Sequence, residues 1–316
     1  RRQKMFQEKK ALFMYCVSPV HMGAGTALGV IDNPIQRERH TEYPVFAGSG
    51  IKGAIRHHLA QTSDKNEDIV YAMFGPEAGN SSDHAGAVSF SDAQLVAFPV
   101  RSAKRAFVYA TSPTALARTA RLLNTAGLEP SWQVEAVAEG DCRVVNPDLL
   151  VGDKVALESF EFTARLDKPL RMISEWLAQN ALIGTPVYEF FRNKLKDDLV
   201  LLSDEDFGYF VRNATVVEPH VRINDITGTA EEGGLFYSEN LPPESILVSL
   251  VMATRDRRKN GKKLDAFTMM KTLVEGSDED SLPGINGMLL QIGGDATTGR
   301  GQVVLNIAGG SDHAES

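Results

Sequence analysis

LGVIDNPIQRERHTEYPVFAGSGIKGAIR, residues 28–56, runs from an irregular loop through a short strand into a helix. Asp32 sits in a loop closed by Asn33-Pro34, and Arg37, Glu38, Arg39 and His40 follow as a charged run. Tyr43–Phe46 is apolar and reads as strand. Gly48-Ser49-Gly50 then opens a helix predicted over Ser49–Gln61, with Ile51, Ile55 and Leu59 at helical spacing on one face. Lys52 and Arg56 stand at i and i+4 and are predicted on the exposed side. Glycines in the first turn of a helix let backbone N–H groups come close to an anion. A carboxylate, flanking cations and a glycine turn together suggest an anion-binding surface with an acid poised above it. A phosphodiester backbone is one such anion.

Outward from this stretch, residues 11–18 (ALFMYCVS) read as a first strand that is continuously apolar, and Gly23, Gly25 and Gly29 start the long loop that follows it. Residues 62–84 are polar and read as a surface insertion. Ala87–Phe98 reads as strand. Ser112-Pro113 starts a helix to Asn124, with Gly127 just beyond its end. Short strands occupy 132–165, and Leu170–Leu182 and Tyr188–Leu202 read as helices. Ser203–Phe210 is a capped turn, with Asp206 three positions after Ser203. Residues 213–245 form a glycine- and acid-rich excursion. After it, Ile246–Ala253 reads as strand and Asp265–Leu273 as helix, and Met288–Ile292 and Gln302–Ile307 as strands joined by a glycine loop. This order is α+β rather than doubly wound, and is compatible with a ferredoxin-like, RRM-type sheet carrying long insertions.

Bulk properties bound the function. A chain of 316 residues, 43% hydrophobic, can bury a large core. No apolar run is long enough for a membrane span. Arg1–Lys4 precede the first methionine, Met5, and read as linker. Cys16 and Cys142 are the only cysteines, which suits a reducing cytoplasm better than a disulfide scaffold. The formal net charge of −8 argues against a simple nucleic-acid coat. The charge is segregated, however. Arg101, Lys104 and Arg105 cluster, as do Arg255, Arg257, Arg258, Lys259, Lys262 and Lys263, while acids gather at Asp204–Asp206 and Asp278–Asp280. Each basic cluster is either a solvated face or part of a binding groove. There is no GxxxxGK[ST] sequence for a nucleoside triphosphate, and no HxxxH or CxxC spacing for zinc.

Five segments in order carry a family resemblance: SPVHMGAG (18–25), the 28–56 stretch, AGAVSFSDAQLVAFPVRS (85–102), TGTAEEGGLFYSENLPPES (227–245) and IGGDATTGRGQV (292–303). Together they resemble the backbone subunit of type III-B CRISPR effectors, the Cmr complex, within the RAMP superfamily. The resemblance implies an RRM-like palm with a β-hairpin thumb. Palm is expected over 1–212 and 246–316, and thumb over 213–245. It implies a metal-dependent endoribonuclease inside a ribonucleoprotein, with guide RNA (crRNA), target RNA, other Cmr-type subunits and head-to-tail copies of the chain as partners, and no membrane. Two other readings stay open: an RNA-binding scaffold without cleavage, and a guide-processing endoribonuclease of the same superfamily working alone.

Each site residue carries two readings. Asp32 is either a local Asx-turn acid or, on the resemblance, the catalytic aspartate and a ligand for Mg²⁺. His21 either holds its glycine loop by hydrogen bonds or acts as acid or base. Lys52 is implied to contact the guide backbone, with Arg56, Gly48, Ser49 and Gly50 beside it. Arg37 and Arg39 either pair with Glu38 or Glu42, or hold the loop against RNA or a neighbouring subunit. Gly293, Gly294, Gly299, Arg300 and Gly301 form either a hairpin connection or a backbone nest for phosphate. In the thumb, Phe236 and Tyr237 either wedge between bases or pack the hairpin, and Glu231 or Glu232 would add a second carboxylate near the cut phosphate in an adjacent copy.

Overall fold

The computed structural model describes residues 6–27, 29–62, 67–76, 84–259 and 263–308. The expected linker Arg1–Lys4, Leu28, parts of the polar insertion (63–66 and 77–83) and Lys262 lie outside these residues. In chain order the elements are β1 (Glu8–Cys16), β2 (Val45–Phe46), α1 (Gly48–Ala60), α2 (Glu67–Phe74), β3 (Val88–Phe90), β4 (Ala93–Ser102), β5 (Ala106–Thr111), α3 (Pro113–Thr125), β6 (Asp141–Val144), β7 (Lys154–Leu157), β8 (Phe160–Leu166) and α4 (Lys168–Asn180). They continue with α5 (Glu189–Asp197), β9 (Leu199–Leu202), α6 (Asp204–Asn213), β10 (Val216–Ile223), β11 (Ala230–Asn240), β12 (Ile246–Ala253), α7 (Ala266–Glu275), β13 (Gly276–Ser277), β14 (Leu282–Pro283), β15 (Leu289–Gln291) and β16 (Gln302–Ile307).

β1 explains its own continuous hydrophobicity. It pairs antiparallel with β12 on one edge and β16 on the other, and a buried core covers each of its two faces. Leu12, Met14 and Cys16 point into one core with Ile51, Ile55 and Leu59 of α1 and Met269, Met270 and Leu273 of α7. Ala11, Phe13 and Tyr15 point into a second core with Leu116 and Leu123 of α3 and Leu170, Ile173 and Leu177 of α4. Full burial of each large side chain stabilises by roughly 1.5–3 kcal/mol. The main sheet runs β15-β16-β1-β12-β4-β5-β9-β6-β8-β7, and β7 returns to β4 through Ser102 and Leu157. Strands β4, β5, β9, β6, β8 and β7 thus close a six-stranded ring, and the architecture is mixed α/β. Among the described residues no helix is long and apolar enough to cross a membrane.

Four expectations are corrected. Tyr188–Leu202 is not one helix: α5 ends at Asp197, and Leu199–Leu202, buried throughout, is a ring strand between β5 and β6. A short apolar run is ambiguous by periodicity alone. The polar insertion contains α2, whose Ile69, Val70, Ala72, Met73 and Phe74 are buried. The strand expected over Ala87–Phe98 breaks at Ser91-Asp92 into β3 and β4. The capped turn after Ser203 is a ten-residue helix, α6. Ser203 accepts the Asp206 N–H (3.0 Å) and donates its hydroxyl to the Asp206 carboxylate (2.7 Å).

β10 and β11 form a separate antiparallel hairpin, with register from Val216↔Asn240 to Ile223↔Ala230 and an irregularity after Val221. It leaves the body between α6 and β12.

Candidate functional site

The loop between β1 and β2 lies along the edge of β11 that β10 does not use. Asn33 makes a parallel bridge to Ser238. Its N–H donates to the Tyr237 carbonyl (3.0 Å), and its own carbonyl accepts from the Glu239 N–H (3.0 Å). Asn33 Nδ2 adds a bond to Ser238 Oγ (3.3 Å). Strand-like pairing on both sides of Asn33 fixes its neighbour. Asp32 Oδ2 accepts the Tyr237 N–H at 2.7 Å, so the carboxylate is tied to the hairpin and not to a local Asx-turn. Its Oδ1 has no hydrogen-bond partner among the described residues.

His21 reaches the same edge. Val20 bridges Leu241, and His21 Nδ1 lies 2.7 Å from the Glu239 carbonyl. A carbonyl only accepts, so Nδ1 carries the proton and the neutral ring keeps its lone pair on Nε2. The anchors of Asp32 and His21, at Tyr237 and Glu239, are two residues apart on β11, about 7 Å along a strand. The late glycine loop closes the other side. The Gly294 N–H donates to the His21 carbonyl (2.9 Å), and a Cβ at Gly293, φ +80°, would sit 2.4 Å from that oxygen. A Cβ at Gly23 would lie 2.9 Å from His21 Nε2. These glycines leave room for the histidine.

Several cations expected to face RNA are engaged within the chain. Arg37 pairs with Glu239 Oε1 (2.5 Å) and donates to the carbonyls of Val211 (2.9 Å) and Glu42 (2.7 Å), so its carboxylate partner is neither Glu38 nor Glu42. Glu38 is taken by Arg118 and Thr41, and Glu42 by Arg212. The Glu38 carboxyl feels burial first, but bonds from Arg118 and Thr41 outweigh it and hold the carboxyl below the usual range. Arg39 is exposed. Arg300 donates to both oxygens of Glu218 (2.7 and 2.5 Å), joining the glycine loop to β10.

At the start of α1 the Gly48 N–H is donated to Asp92 Oδ1 (2.8 Å), so an acid of the chain itself occupies the first donor of the expected anion site. Gly48 and Gly50 are also packing glycines: an added Cβ would stand 2.4 Å from the Phe90 carbonyl and from Met22 Cε respectively. Ser49 is exposed. Lys52 and Arg56 are half-buried flanking residues rather than the exposed side, because they stand next in sequence to Ile51 and Ile55. Burial, then Arg56 and Arg257, push the Lys52 amine down, which places three cations in one patch. Arg56 also donates to the Pro76 carbonyl (3.2 Å). In the basic run, Arg258 is bound to Asp256 and Asp68.

On the hairpin, Phe236 stacks on His220 (centroids 5.2 Å apart), Glu231 lies 3.8 Å from Arg222, Glu232 is exposed and Tyr237 is half-buried. Among the described residues the most exposed large apolar side chain is Ile226, 95% exposed in the turn. Sequence reasoning passed over it, although it is a lone apolar residue within Asn224-Asp225-Ile226-Thr227-Gly228. It also missed Glu239, Glu218 and Asp92. The signal for the first two was an arginine, Arg37 or Arg300, in a loop that folds against a strand and so needs an acid from elsewhere.

Comparison with known proteins extends over the whole of this arrangement. The family model described as the RAMP superfamily matches residues 13–304. The chain is 34% identical over 294 residues to the CRISPR system Cmr endoribonuclease Cmr4 of Pyrococcus furiosus, covering 93% of this chain and 94% of that protein. It is 25% identical over 261 residues to the CRISPR system CMR subunit Cmr4 of Saccharolobus solfataricus, covering 77% and 84%. Among solved structures it is similar to oligomeric Cmr4 from Pyrococcus furiosus, with a TM-score of 0.70, 28% identity and coverage of 96% and 98%. A chain of the type III-B Cmr-beta complex bound to cognate target RNA has a TM-score of 0.72 at 20% identity, with coverage of 96% and 98%, a likeness of fold.

Proposed function

Since this chain belongs to the RAMP superfamily, we propose that it is the repeating backbone subunit of an RNA-guided, Cmr-type complex, and the subunit that cleaves target RNA. The observation that carries this reading is the fastening of Asp32 and His21 to one edge of β11, in a chain about one third identical along its length to a Cmr endoribonuclease. Copies stack head to tail, a heterologous contact that propagates. Guide RNA, target RNA and other Cmr-type subunits complete the particle. Base pairing supplies the sequence specificity. It works in the cytoplasm, where the free, buried Cys16 and Cys142 stay reduced.

The palm, 1–212 and 246–316, is ferredoxin-like. Support comes from the strand order β16-β1-β12-β4, which is the fourth-first-third-second order of a βαββαβ unit with α1 after β1 and α7 after β12. The thumb, 213–245, is the hairpin that carries the site. Guide phosphates pass the Lys52, Arg56 and Arg257 patch.

The reaction is attack by a target 2′-hydroxyl on its own phosphorus. The P–O5′ bond breaks, leaving a 2′,3′-cyclic phosphate and a 5′-hydroxyl. His21 Nε2 takes the 2′-proton, solvent water protonates the departing O5′, and the Nδ1 bond to Glu239 sets the ring's direction. Asp32 supplies a single open oxygen, and among the described residues no cluster of three or more His, Cys, Asp or Glu side chains is placed to hold a metal. That donor set fits a Mg²⁺ ion kept mostly by water and RNA phosphate, with Asp32 Oδ1 as the protein's ligand. When bound, the ion supplies charge neutralisation at the phosphate. The test is end-group analysis of products from the assembled complex, with a target carrying one 2′-deoxy sugar at the cut. A cyclic phosphate, resistance of the deoxy position, arrest by EDTA and restoration by Mg²⁺ but poorly by Ca²⁺ are expected. Full-rate cutting of the deoxy target points to an activated water instead.

A further inference from the structure

We propose that Glu239 is the positioning residue of this site, the buried thumb carboxylate that fixes the acid loop. The inference rests on the assignment of Asp32 to cleavage. Glu239 is the last-but-one residue of β11, and it holds the loop through backbone and side chain alike. Its N–H donates to the carbonyl of Asn33. Its Oε2 accepts the Ile35 N–H (3.1 Å), and its Oε1 accepts from Arg37 (2.5 Å). Its carbonyl takes the His21 ring. Thr215 Oγ1 donates to Oε1 (2.8 Å), so the carboxylate holds three donors from three places. The Glu239 side chain is 3% exposed and that of Arg37 20%.

This is more than a buried ion pair. The three residues held directly, 33, 35 and 37, alternate along the strand-like segment that starts with Asp32. Arg37 carries the connection onward to the carbonyl of Val211 in α6, so hairpin, loop and body meet at one carboxylate. Removing the charge leaves Tyr237 bound to Asp32 but frees the segment behind it. The carboxylate and imidazole then lose their common frame, and a misplacement of about 1 Å is enough to cost a factor of about 100 in rate.

The experiment uses the assembled complex with guide. Glu239→Gln is compared with wild type for single-turnover cleavage, for guide and target affinity, and for amide exchange at Asn33 and Ile35. The expected result is a rate about 10- to 100-fold lower, affinities within about twofold, and faster exchange at Asn33 and Ile35. Asp198→Asn is the comparison. It breaks another buried pair, Lys194–Asp198 (9% and 6% exposed), away from the loop, and should lower Tm without lowering the rate. A wild-type rate for Glu239→Gln overturns the proposal, and so does an equal rate loss in Asp198→Asn at equal loss of Tm. If Glu239→Gln does not assemble, Arg37→Lys is read by the same measurements with the same two outcomes. Asp32→Asn runs alongside. If it cuts like wild type, the cleavage assignment fails and takes this inference with it. If it is inactive while Glu239→Gln is at full rate, only the positioning role fails.

Discussion

One oxygen of Asp32 is bound to the hairpin backbone and the other is open among the described residues, while His21 is held through Nδ1 with Nε2 left as acceptor. The histidine depends on the glycines packed around it. Gly293 carries φ +80° against the His21 carbonyl, whereas Gly299 carries φ +81° with nothing within 4 Å. Replacement by alanine costs each about 1–2 kcal/mol of backbone strain, and only Gly293→Ala adds a clash. Gly293→Ala should therefore lower Tm more than Gly299→Ala and slow cleavage as well; equal effects would contradict the packing role. Glu244 makes a separate prediction. It has φ +71°, its Oε2 has no hydrogen-bond partner among the described residues, and burial pushes its carboxyl from 4.5 up to about 7. Between those pH values the folded chain keeps a proton that the unfolded chain releases, so stability falls as pH rises through that window. Melting curves from pH 4.5 to 7 should show this decline in wild type and a flatter one in Glu244→Gln; an equal decline in both would remove Glu244 as its source. Asp32 and His21 were legible as chemical residue types in glycine-rich loops. Their partners were not, because Tyr237 lies 205 positions from Asp32 and Glu239 lies 218 from His21. Local sequence has no term for pairs closed by folding.

Among the elements, two ionic struts set the hairpin against the body: Arg37–Glu239 on β11 and Arg300–Glu218 on β10. Each joins a loop that the sequence marked as cationic to a strand that it marked as acidic. The two charge patterns are thus halves of one structure. The helices were legible where caps and apolar spacing agreed, as at Ser112 and Asp265, whose side chains accept from Ala115 and Thr268. They were illegible where burial overrode pattern. Leu199–Leu202 continued an apolar run but was recruited as a ring strand, and α2 was hidden by its polar flanks. For α1 the choice between guide contact and packing is measurable. Lys52→Ala with Arg56→Ala should weaken guide binding equally for unrelated guide sequences, and flatten the salt dependence by about one to two counterions. An unchanged slope in a folded double variant would mean that the patch with Arg257 is solvated surface.

At the scale of the molecule, a net charge of −8 would by itself have argued against RNA. The arrangement answers that objection: Asp204, Glu205 and Asp206 crowd the start of α6, where a helix favours acids, while Lys52, Arg56 and Arg257 gather elsewhere. The open sheet and closed ring share β4, and α1, α7, α3 and α4 fill the two cores around β1. This body carries the hairpin and the loop of Asp32, and the hairpin holds the acid in place. If copies stack along a guide, each presents one Asp32 to the target, and the cuts recur at the spacing of the copies. The most direct measurement is cleavage mapping of an end-labelled target in the assembled complex, wild type against Asp32→Asn, with target affinity measured on the same preparations. Wild type should give a ladder of evenly spaced products, and Asp32→Asn should bind the target as tightly and leave it whole. An Asp32→Asn complex that produced the same ladder at a rate near wild type would contradict the account.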